Sequence, residues 1–176
     1  MDIIDKELYF LETDRLRMRE MNSQDTNHLM SIFSDSIAMQ FYPATKTMEE
    51  ADKWITWNLD LYKNYGAGLW ICERKDDGTF TGQCGIVPQV VDDVNELEIG
   101  YLFAREHWGK GYATEAALAV KNYGFGQLGL NRLISMIFYK NQPSIRVAER
   151  IGMVLEKRTS VKDRETLIYS VCKGES

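Results

Sequence analysis

The chain reads Arg105-Glu-His-Trp-Gly-Lys-Gly-Tyr-Ala-Thr-Glu-Ala116 where a strand-like segment, residues 96–103, gives way to a helix-like segment that begins near Tyr112. Gly109 and Gly111 leave backbone N–H groups uncovered where the helix adds its own unpaired donors and the positive end of its dipole. Such a junction suits a pyrophosphate, so the stretch predicts a nucleotide-containing ligand. A tight strand-to-helix turn that binds nothing is the simpler alternative.

Two familiar phosphate motifs do not fit this stretch. A P-loop carries Ser or Thr directly after Gly-Lys, but here Lys110 is followed by Gly111. A dinucleotide fingerprint needs a third small residue where Thr114 stands, and an acidic residue about twenty positions later, where the chain has Arg132 and Leu133. A nicotinamide-dependent oxidoreductase is therefore disfavoured.

The composition is that of an ordinary globular protein. Of the 176 residues, 44% are hydrophobic and 27% are charged, so we expect one domain over residues 1–176 with a well-buried core. The net charge of −5 disfavours nucleic acid and weakly favours cationic substrates such as amines or basic peptides. No apolar run reaches the length of a membrane span, and residues 1–7 do not resemble a signal peptide. We expect a cytoplasmic protein with no membrane partner.

The cysteines and histidines form no metal-binding pattern. Cys72, Cys84 and Cys172 are widely spaced in apolar, strand-like segments, which favours buried free thiols. His28 and His107 are the only histidines, so a histidine-rich metal site is excluded and we expect no metal.

The predicted element order is βααβββαβαββ, which is typical of an α/β domain on a mixed sheet. Ser23 is expected to cap the first helix, and Thr47 with Glu50 forms a capping box for the second. Apolar residues cover more than one face of that second helix, which suits burial on two sides or a homodimer contact, although a monomer is equally compatible. The remaining helices are predicted at 112–127 and 143–150, and the strands at 8–20, 69–73, 80–87, 96–103, 132–139, 154–160 and 165–172.

A second motif, Asn141-Gln-Pro-Ser-Ile-Arg-Val-Ala-Glu-Arg-Ile-Gly-Met153, is locally a short helix capped by Asn141. Taken with Gly109-Lys-Gly-Tyr-Ala113 and the element order, it makes the chain resemble the GNAT superfamily of acyl-coenzyme A N-acyltransferases. Within that superfamily it is most similar to the branch of ribosomal-protein N-terminal acetyltransferases. The likeness, which extends from Leu11 to Tyr169, implies a mostly antiparallel central sheet flanked by helices. It also implies acetyl-coenzyme A as acetyl donor and direct transfer to a primary amine.

The resemblance implies a cofactor site built from three segments. The family's phosphate motif places Gly111 and Ala113 on its last two positions, while Trp108 replaces the Gln or Arg usual at the first. The preceding strand is implied to bring a backbone N–H to the thioester oxygen, and Asn141 to bind the pantetheine arm. The implied cofactor-binding residues are Leu102, Phe103, Trp108, Gly109, Lys110, Gly111, Tyr112, Ala113, Asn141 and Ser144.

The catalytic residues are less clearly marked. Ala148 stands where many members carry a tyrosine that protonates the departing thiolate, whereas Ser144 matches a serine placed near the sulfur in this branch. A thiol has a pKa of about 8.5, so a serine hydroxyl is a poor proton donor to a thiolate. We therefore expect Ser144 to stabilise the thiolate by a hydrogen bond. The alternative is that Ser144 is an ordinary serine in the first turn of a helix. Glu98 is the candidate general base, with a solvated strand carboxylate as the alternative. Asp163 and Glu165 are weaker candidates.

The acceptor site is expected to include Phe41 and Tyr42, although loop packing explains these aromatic residues equally well. A peptide α-amine, with a pKa of about 7.7 to 8.0, needs less help from a base than a lysine or polyamine near about 10.4. A protein N-terminal α-amine is slightly favoured over a small-molecule amine such as a polyamine, amino acid or antibiotic. A non-catalytic acyl-coenzyme A-binding domain stays open, since the tyrosine is missing at position 148.

Overall fold

The computed structural model of this chain describes residues 8–175, so the expectation about the first seven residues lies outside it. Eight strands form one sheet in the order β1-β2-β3-β4-β5-β6-β8-β7, and β5–β6 is the parallel pair in it. The strands are β1 (Leu11–Glu12), β2 (Leu16–Arg19), β3 (Leu69–Arg74), β4 (Phe80–Val91), β5 (Val94–Phe103), β6 (Arg132–Phe138), β7 (Val154–Val161) and β8 (Arg164–Cys172). The helices are α1 (Thr26–Phe33), α2 (Met48–Tyr65), α3 (Tyr112–Gly126) and α4 (Gln142–Arg150). The predicted mixed, mostly antiparallel sheet flanked by helices is confirmed.

The N-terminal region differs from the prediction in two details. The single strand expected at 8–20 is two short strands, because the chain turns between them and Thr13 N donates to Leu16 O at 2.8 Å. Ser23 is not the helix cap. The neighbouring Asn22 caps a short 3-10 turn instead, accepting from Gln24 N at 2.8 Å, while Asp25 accepts from Asn22 N at 2.8 Å.

The helix α2 begins as predicted. Thr47 N donates to Glu50 Oε2 at 2.7 Å, and Glu50 N donates to Thr47 Oγ1 at 3.2 Å, so the capping box is present. The breadth of its apolar surface also has an explanation. One side, which includes Ile55, is buried in the core, whereas Trp54 and Trp57 line a cavity.

Two tight turns lengthen the strands that they join. Asp92 and Asp93 have φ of 48° and 63°, and Lys162 and Asp163 have φ of 49° and 60°. Two consecutive left-handed residues make the two-residue hairpin turn whose twist matches that of the flanking strands. As a result β4 continues to Val91, beyond its predicted end.

The sheet opens between its two parallel strands. Within residues 8–175, β5 and β6 share a single register pair, Glu98 with Ile134. Ser135 Oγ then donates to Ile99 O at 2.9 Å, and Met136 N donates to the Glu98 carboxylate at 3.2 Å instead of to a strand carbonyl. Side chains thus replace the ladder where the strands separate. The segments that follow β5 and β6, which carry the glycine turn and the start of α4, lie at the open end.

The thiols and helices bear on two other expectations. Cys72 and Cys84 are buried and free, as predicted, whereas Cys172 is free and only half-buried. None of the helices in residues 8–175 is long and apolar enough to cross a membrane.

Candidate active site

The glycine turn presents a row of unpaired backbone donors. Gly109 and Gly111 adopt left-handed conformations, with φ of 73° and 82°, and Gly111 is the N-cap of α3. Because glycine has no side-chain oxygen, it cannot satisfy the first N–H groups of the helix. No group in residues 8–175 accepts a hydrogen bond from the backbone N–H groups of residues 109–114. Unpaired donors at the positive end of a helix dipole are suited to bind an anion.

A cavity, here called the loop cavity, opens beside these donors with a volume of about 460 Å³, within the usual range of small-molecule sites. It lies between the end of β5, the glycine turn and the first turns of α4. The predicted cofactor residues that line it are Leu102, Phe103, Trp108, Gly109, Gly111, Tyr112, Ala113, Asn141 and Ser144. Lys110 is the exception. Its exposed ammonium donates to Glu106 O at 3.0 Å, and Lys110 does not line the cavity.

Trp108 has a role in the structure that the sequence did not indicate. Its indole Nε1 donates to Phe103 O at 2.8 Å, and this bond ties the glycine turn to the end of β5. The ring also lines the loop cavity. A tryptophan therefore replaces the polar contact of the usual Gln or Arg with an anchor for the turn.

Two arginines that the sequence analysis missed also line the loop cavity. Arg146 and Arg150 lie four residues apart on α4, which places them on one face of the helix. Within the described part of the chain, no carboxylate lies within 4 Å of either guanidinium. Their i,i+4 spacing, directly after the Asn141 cap, was the available signal. They add positive charge where a phosphate-bearing ligand would meet the glycine turn.

Asn141 and Ser144 connect α4 to the cavity. Asn141 Oδ1 accepts from Ser144 N at 3.2 Å, which confirms the capping role, and its Nδ2 has no acceptor in residues 8–175. Ser144 O accepts from Tyr101 Oη at 2.8 Å, while the Ser144 hydroxyl has no partner in the described chain. Asn141 can therefore cap the helix with its oxygen and offer its amide hydrogens to a ligand.

A second cavity, here called the wedge cavity, fills the opening between β5 and β6. It is bounded by α2, by the loop that follows α1 and by the β7–β8 turn, and Glu98 lies on its wall. The residues common to both cavities are Phe41, Tyr42, Tyr101, Leu102, Asn141 and Ser144. The two cavities therefore adjoin, with the predicted acceptor residues Phe41 and Tyr42 at the junction.

Glu98 is not a solvated strand carboxylate. It is half-buried, and its two oxygens accept from Gln89 Nε2 at 2.7 Å and from Met136 N at 3.2 Å. Burial raises the pKa of Glu98 to about 7, although the two hydrogen bonds oppose that shift. No cation in residues 8–175 lies within 4 Å of the carboxylate. A carboxylate with this pKa can accept and release a proton near neutral pH.

Two tyrosine hydroxyls lie close to Glu98. Partial burial of Tyr42, which is 38% exposed, together with the negative charge of Glu98, raises the pKa of Tyr42 to about 12. Burial raises the pKa of Tyr101 well above its usual range. Both therefore keep their protons at neutral pH. Strand alternation predicts Glu98 and Tyr101 on opposite faces of β5. Both reach the wedge cavity because it lies at the open edge of the strand.

The β7–β8 turn contributes cations to the wedge cavity and no carboxylate. Lys162 and Arg164 line it, whereas Asp163 does not. Glu165 is paired with Arg158 at 3.0 Å and lies outside both cavities. The structure therefore does not support Asp163 or Glu165 as bases. Within residues 8–175, no group of three or more His, Cys, Asp or Glu side chains could hold a metal ion.

Comparison with known sequences identifies the family to which this fold and its two adjoining cavities belong. The family model described as "Acetyltransferase (GNAT) domain" matches residues 15–154. This chain belongs to the GNAT acetyltransferase family, whose members use acetyl-coenzyme A.

Similar proteins agree with this assignment. The Bacillus subtilis protein YkkB, which is uncharacterised, is 42% identical over 90% of this chain and 93% of its own length. YoaA, an uncharacterised N-acetyltransferase of the same organism, is 32% identical over 83% of each chain. The solved structure of RimL, a ribosomal L7/L12 α-N-protein acetyltransferase in complex with coenzyme A, superposes with a TM-score of 0.76 over 93% of this chain and 97% of that one. At 16% identity, that likeness shows the shared fold alone.

Proposed function

We propose that this protein moves an acetyl group from acetyl-coenzyme A to a primary amine, with Glu98 as the general base. The observation that carries the proposal is the junction of the two cavities. A glycine turn with unpaired backbone N–H groups lines one cavity, and a carboxylate with a pKa of about 7 lines the other. An acetyl donor held in the loop cavity would present its reactive end beside Tyr101 and Ser144, where an amine near Glu98 could reach it.

The residues of the loop cavity fit acetyl-coenzyme A. The unpaired N–H groups of residues 109–114 suit a pyrophosphate, and the unpaired Arg146 and Arg150 side chains add positive charge. The free amide of Asn141 suits a carbonyl of the pantetheine arm. Bound there, acetyl-coenzyme A would supply the acetyl group as an activated thioester, and a backbone N–H near Leu102 or Phe103 would stand against the thioester oxygen.

The protein's own part in the reaction is proton transfer and positioning. The carboxylate of Glu98 would take one proton from the acceptor ammonium, so that the nitrogen lone pair can form the new C–N bond. As the C–S bond breaks, the nitrogen would lose its second proton to solvent or to the departing thiolate, which leaves a neutral amide. The departing thiolate needs a hydrogen-bond donor. The Ser144 hydroxyl, which is otherwise unpaired, supplies that bond, and Tyr42 is a second protonated hydroxyl at the junction. No enzyme nucleophile is required.

A protein N-terminal α-amine is the acceptor we favour. Its ordinary pKa of about 7.7 to 8.0 lies within about one unit of that of Glu98, so proton transfer between them is nearly balanced. A small-molecule amine with a similar pKa, such as an amino acid, is the second candidate. A polyamine near about 10.4 would hold its proton too tightly for this base.

Titration calorimetry with acetyl-coenzyme A, and with NADH as control, tests the proposal first. We expect micromolar binding of acetyl-coenzyme A alone, followed by thiol release when an N-terminal peptide is added. No binding would mean that the glycine turn is only a turn. Binding without turnover on any amine would identify a non-catalytic acyl-coenzyme A-binding domain.

A matched pair of variants tests the phosphate assignment. Gly111→Asp places a carboxylate among the unpaired N–H groups and should reduce acetyl-coenzyme A affinity at least about 100-fold. Gly129→Asp is the control, since Gly129 shares the left-handed backbone, with φ of 66°, and has no atom within 4 Å of an added Cβ. Both variants carry the same charge and similar backbone strain. Equal affinity in the two would overturn the assignment.

A further inference from the structure

The wedge cavity carries a local charge opposite to that of the whole molecule. The chain has a net charge of −5. The charged residues that line the wedge cavity are one carboxylate and three cations, namely Glu98, Lys46, Lys162 and Arg164. The global charge, which favours cationic substrates, therefore gives the wrong sign for this cavity.

The three cations come from two segments that line the same cavity, the loop before α2 and the β7–β8 turn. Lys46 precedes α2, and its ammonium lies 5.4 Å from the centre of the Trp54 ring. Arg164 lies 4.2 Å above the ring of Phe138 and donates to Phe41 O at 2.9 Å. Lys162 occupies the β7–β8 turn. Aromatic rings and a backbone carbonyl position Lys46 and Arg164 without neutralising their charge.

None of these cations forms an ion pair within the described chain, although Glu50, whose pKa is lowered by the hydrogen bond from Thr47 N, is near enough to Lys46 for the charge of Lys46 to lower that pKa further. Within residues 8–175, no carboxylate lies within 4 Å of Lys46, Lys162 or Arg164. Elsewhere on the molecule, Arg15, Arg74 and Arg132 are each paired with a carboxylate. Unpaired cations that share a half-buried cavity attract an anionic group on a ligand.

We propose that the amine acceptor also carries a carboxylate, which Lys46, Lys162 and Arg164 bind while its amine lies at Glu98. This inference rests on the proposed function of the site. The carboxylate could belong to a free amino acid or to an acidic side chain that follows the N-terminus of a peptide. Polyamines and basic peptides would instead meet three like charges.

The test compares acceptors that differ only in charge. The probes are two short peptides with the same N-terminal serine, one continuing with glutamates and one with lysines, together with free glutamate and spermidine. We expect kcat/KM for the acidic peptide to exceed that for the basic peptide at least about tenfold, and this ratio to fall as salt is added. Glutamate against the acidic peptide distinguishes the two sources of the carboxylate.

A double variant links the preference to the cavity. Lys46→Gln with Lys162→Gln should reduce the ratio about fivefold or more and leave the affinity for acetyl-coenzyme A unchanged. Lys53→Gln is the control, because Lys53 is exposed, pairs with Glu49 on α2 and lies outside both cavities. A double variant that keeps the full ratio would overturn the inference, as would a wild-type protein that prefers the basic peptide or spermidine.

Equilibrium binding tests the charge preference of the cavity separately from acetyl transfer. Titration of each peptide into the protein loaded with coenzyme A needs no turnover. Selective binding of the acidic peptide without any acetyl transfer would overturn the proposed function and uphold the charge preference. Acetyl transfer with equal binding and equal kcat/KM of the two peptides would uphold the proposed function and overturn the charge preference.

Discussion

The carboxylates of Asp25 and Glu98 are both shielded from solvent, but their surroundings shift their pKa values in opposite directions. Asp25 is buried against Arg19, which donates to its two oxygens at 2.9 Å and 2.8 Å. Glu98 has no cation within 4 Å in residues 8–175 and accepts only from an amide side chain and a backbone N–H. Burial opposes the ionisation of both groups. The hydrogen bonds of Asp25 outweigh that cost and lower its pKa, whereas the pKa of Glu98 rises to about 7.

The difference separates a carboxylate held in an ion-pair cluster from the one that we propose as the general base. Asp25, Arg19 and Glu73 form a closed cluster, in which Arg19 Nε also donates to Glu73 at 2.9 Å. The cluster joins β2 and β3 to the turn before α1, and neither cavity includes it. No cation offsets the cost of ionising the buried Glu98 carboxylate, and Glu98 faces a cavity. Groups that exchange protons commonly combine these two features.

The largest effect is expected in the closed cluster. Arg19→Met leaves Asp25 without its arginine and leaves Glu73 with only Arg17, whose Nε lies 3.6 Å from the Glu73 carboxylate. It should lower the free energy of unfolding by about 3–5 kcal/mol, as measured by urea denaturation. Arg158→Met is the control, since it breaks the exposed pair with Glu165 and should cost about 0–1 kcal/mol. Similar losses in the two variants would show that the cluster does not hold the fold together.

The next effect concerns activity. Glu98→Gln preserves the size of the side chain but removes the base, and it leaves one acceptor oxygen where Glu98 uses two, so kcat/KM at pH 7.5 should fall about 100-fold or more. Glu96→Gln is the matched control, because Glu96 lies two residues earlier on β5, pairs with Arg132 and lies outside both cavities. A loss of similar size in the control would indicate damage to the strand.

The same variant should gain stability, in the opposite direction to its activity. The folded pKa of Glu98 is raised from about 4.5 to about 7, so the folded state holds a proton that the unfolded state releases between these pH values. Wild-type stability therefore falls as pH rises through this window. Glu98→Gln should be more stable by up to about 3 kcal/mol at pH 8 and about equal at pH 4.5. Equal stability at both pH values would contradict the raised pKa.

For Asp25 the sign is reversed. Its lowered pKa contributes stability that is present above the ordinary range of an aspartate and is lost as pH falls through the folded pKa. Acid denaturation of the wild type should therefore depend on this cluster. Glu98→Gln should leave the acid midpoint unchanged, because Glu98 is protonated in both states there.

The smallest effect is expected at Ser144. Ser144→Ala removes a hydroxyl that has no partner in the described chain, so stability should change by less than about 0.5 kcal/mol. If the hydroxyl stabilises the departing thiolate, kcat should fall about three- to tenfold while the affinity for acetyl-coenzyme A stays the same. An unchanged kcat would leave Ser144 as an ordinary first-turn helix serine.

Much of the fold could be predicted from the sequence, because the signals that define its elements are local. The Thr47–Glu50 capping box, the glycine turn and the Asn141 cap each lie within a few residues of sequence, and the structure contains all three. The misplaced cap at Ser23 has a local cause as well. Asn22 is as good a cap as serine, and the Asp25 side chain that completes its capping box decides between them.

The wedge cavity could not be predicted from the sequence, because it arises from pairings between distant segments. Nothing in the sequence of β5 or β6 indicates that their ladder stops after Glu98 and Ile134. The burial of Glu98 and the approach of Tyr42 and Tyr101 follow from that opening. The cations are equally scattered along the chain, so the net charge of −5 did not indicate that three of them line this cavity.

The pH dependence of kcat/KM, compared between the wild type and Glu98→Gln, tests the central claim most directly. Measurement with a peptide α-amine and with a much less basic amine separates the titration of the acceptor from that of the enzyme. The proposed mechanism predicts a wild-type limb with a pKa near 7 for both acceptors, and its disappearance in Glu98→Gln. Parallel profiles for the two proteins would contradict Glu98 as the base.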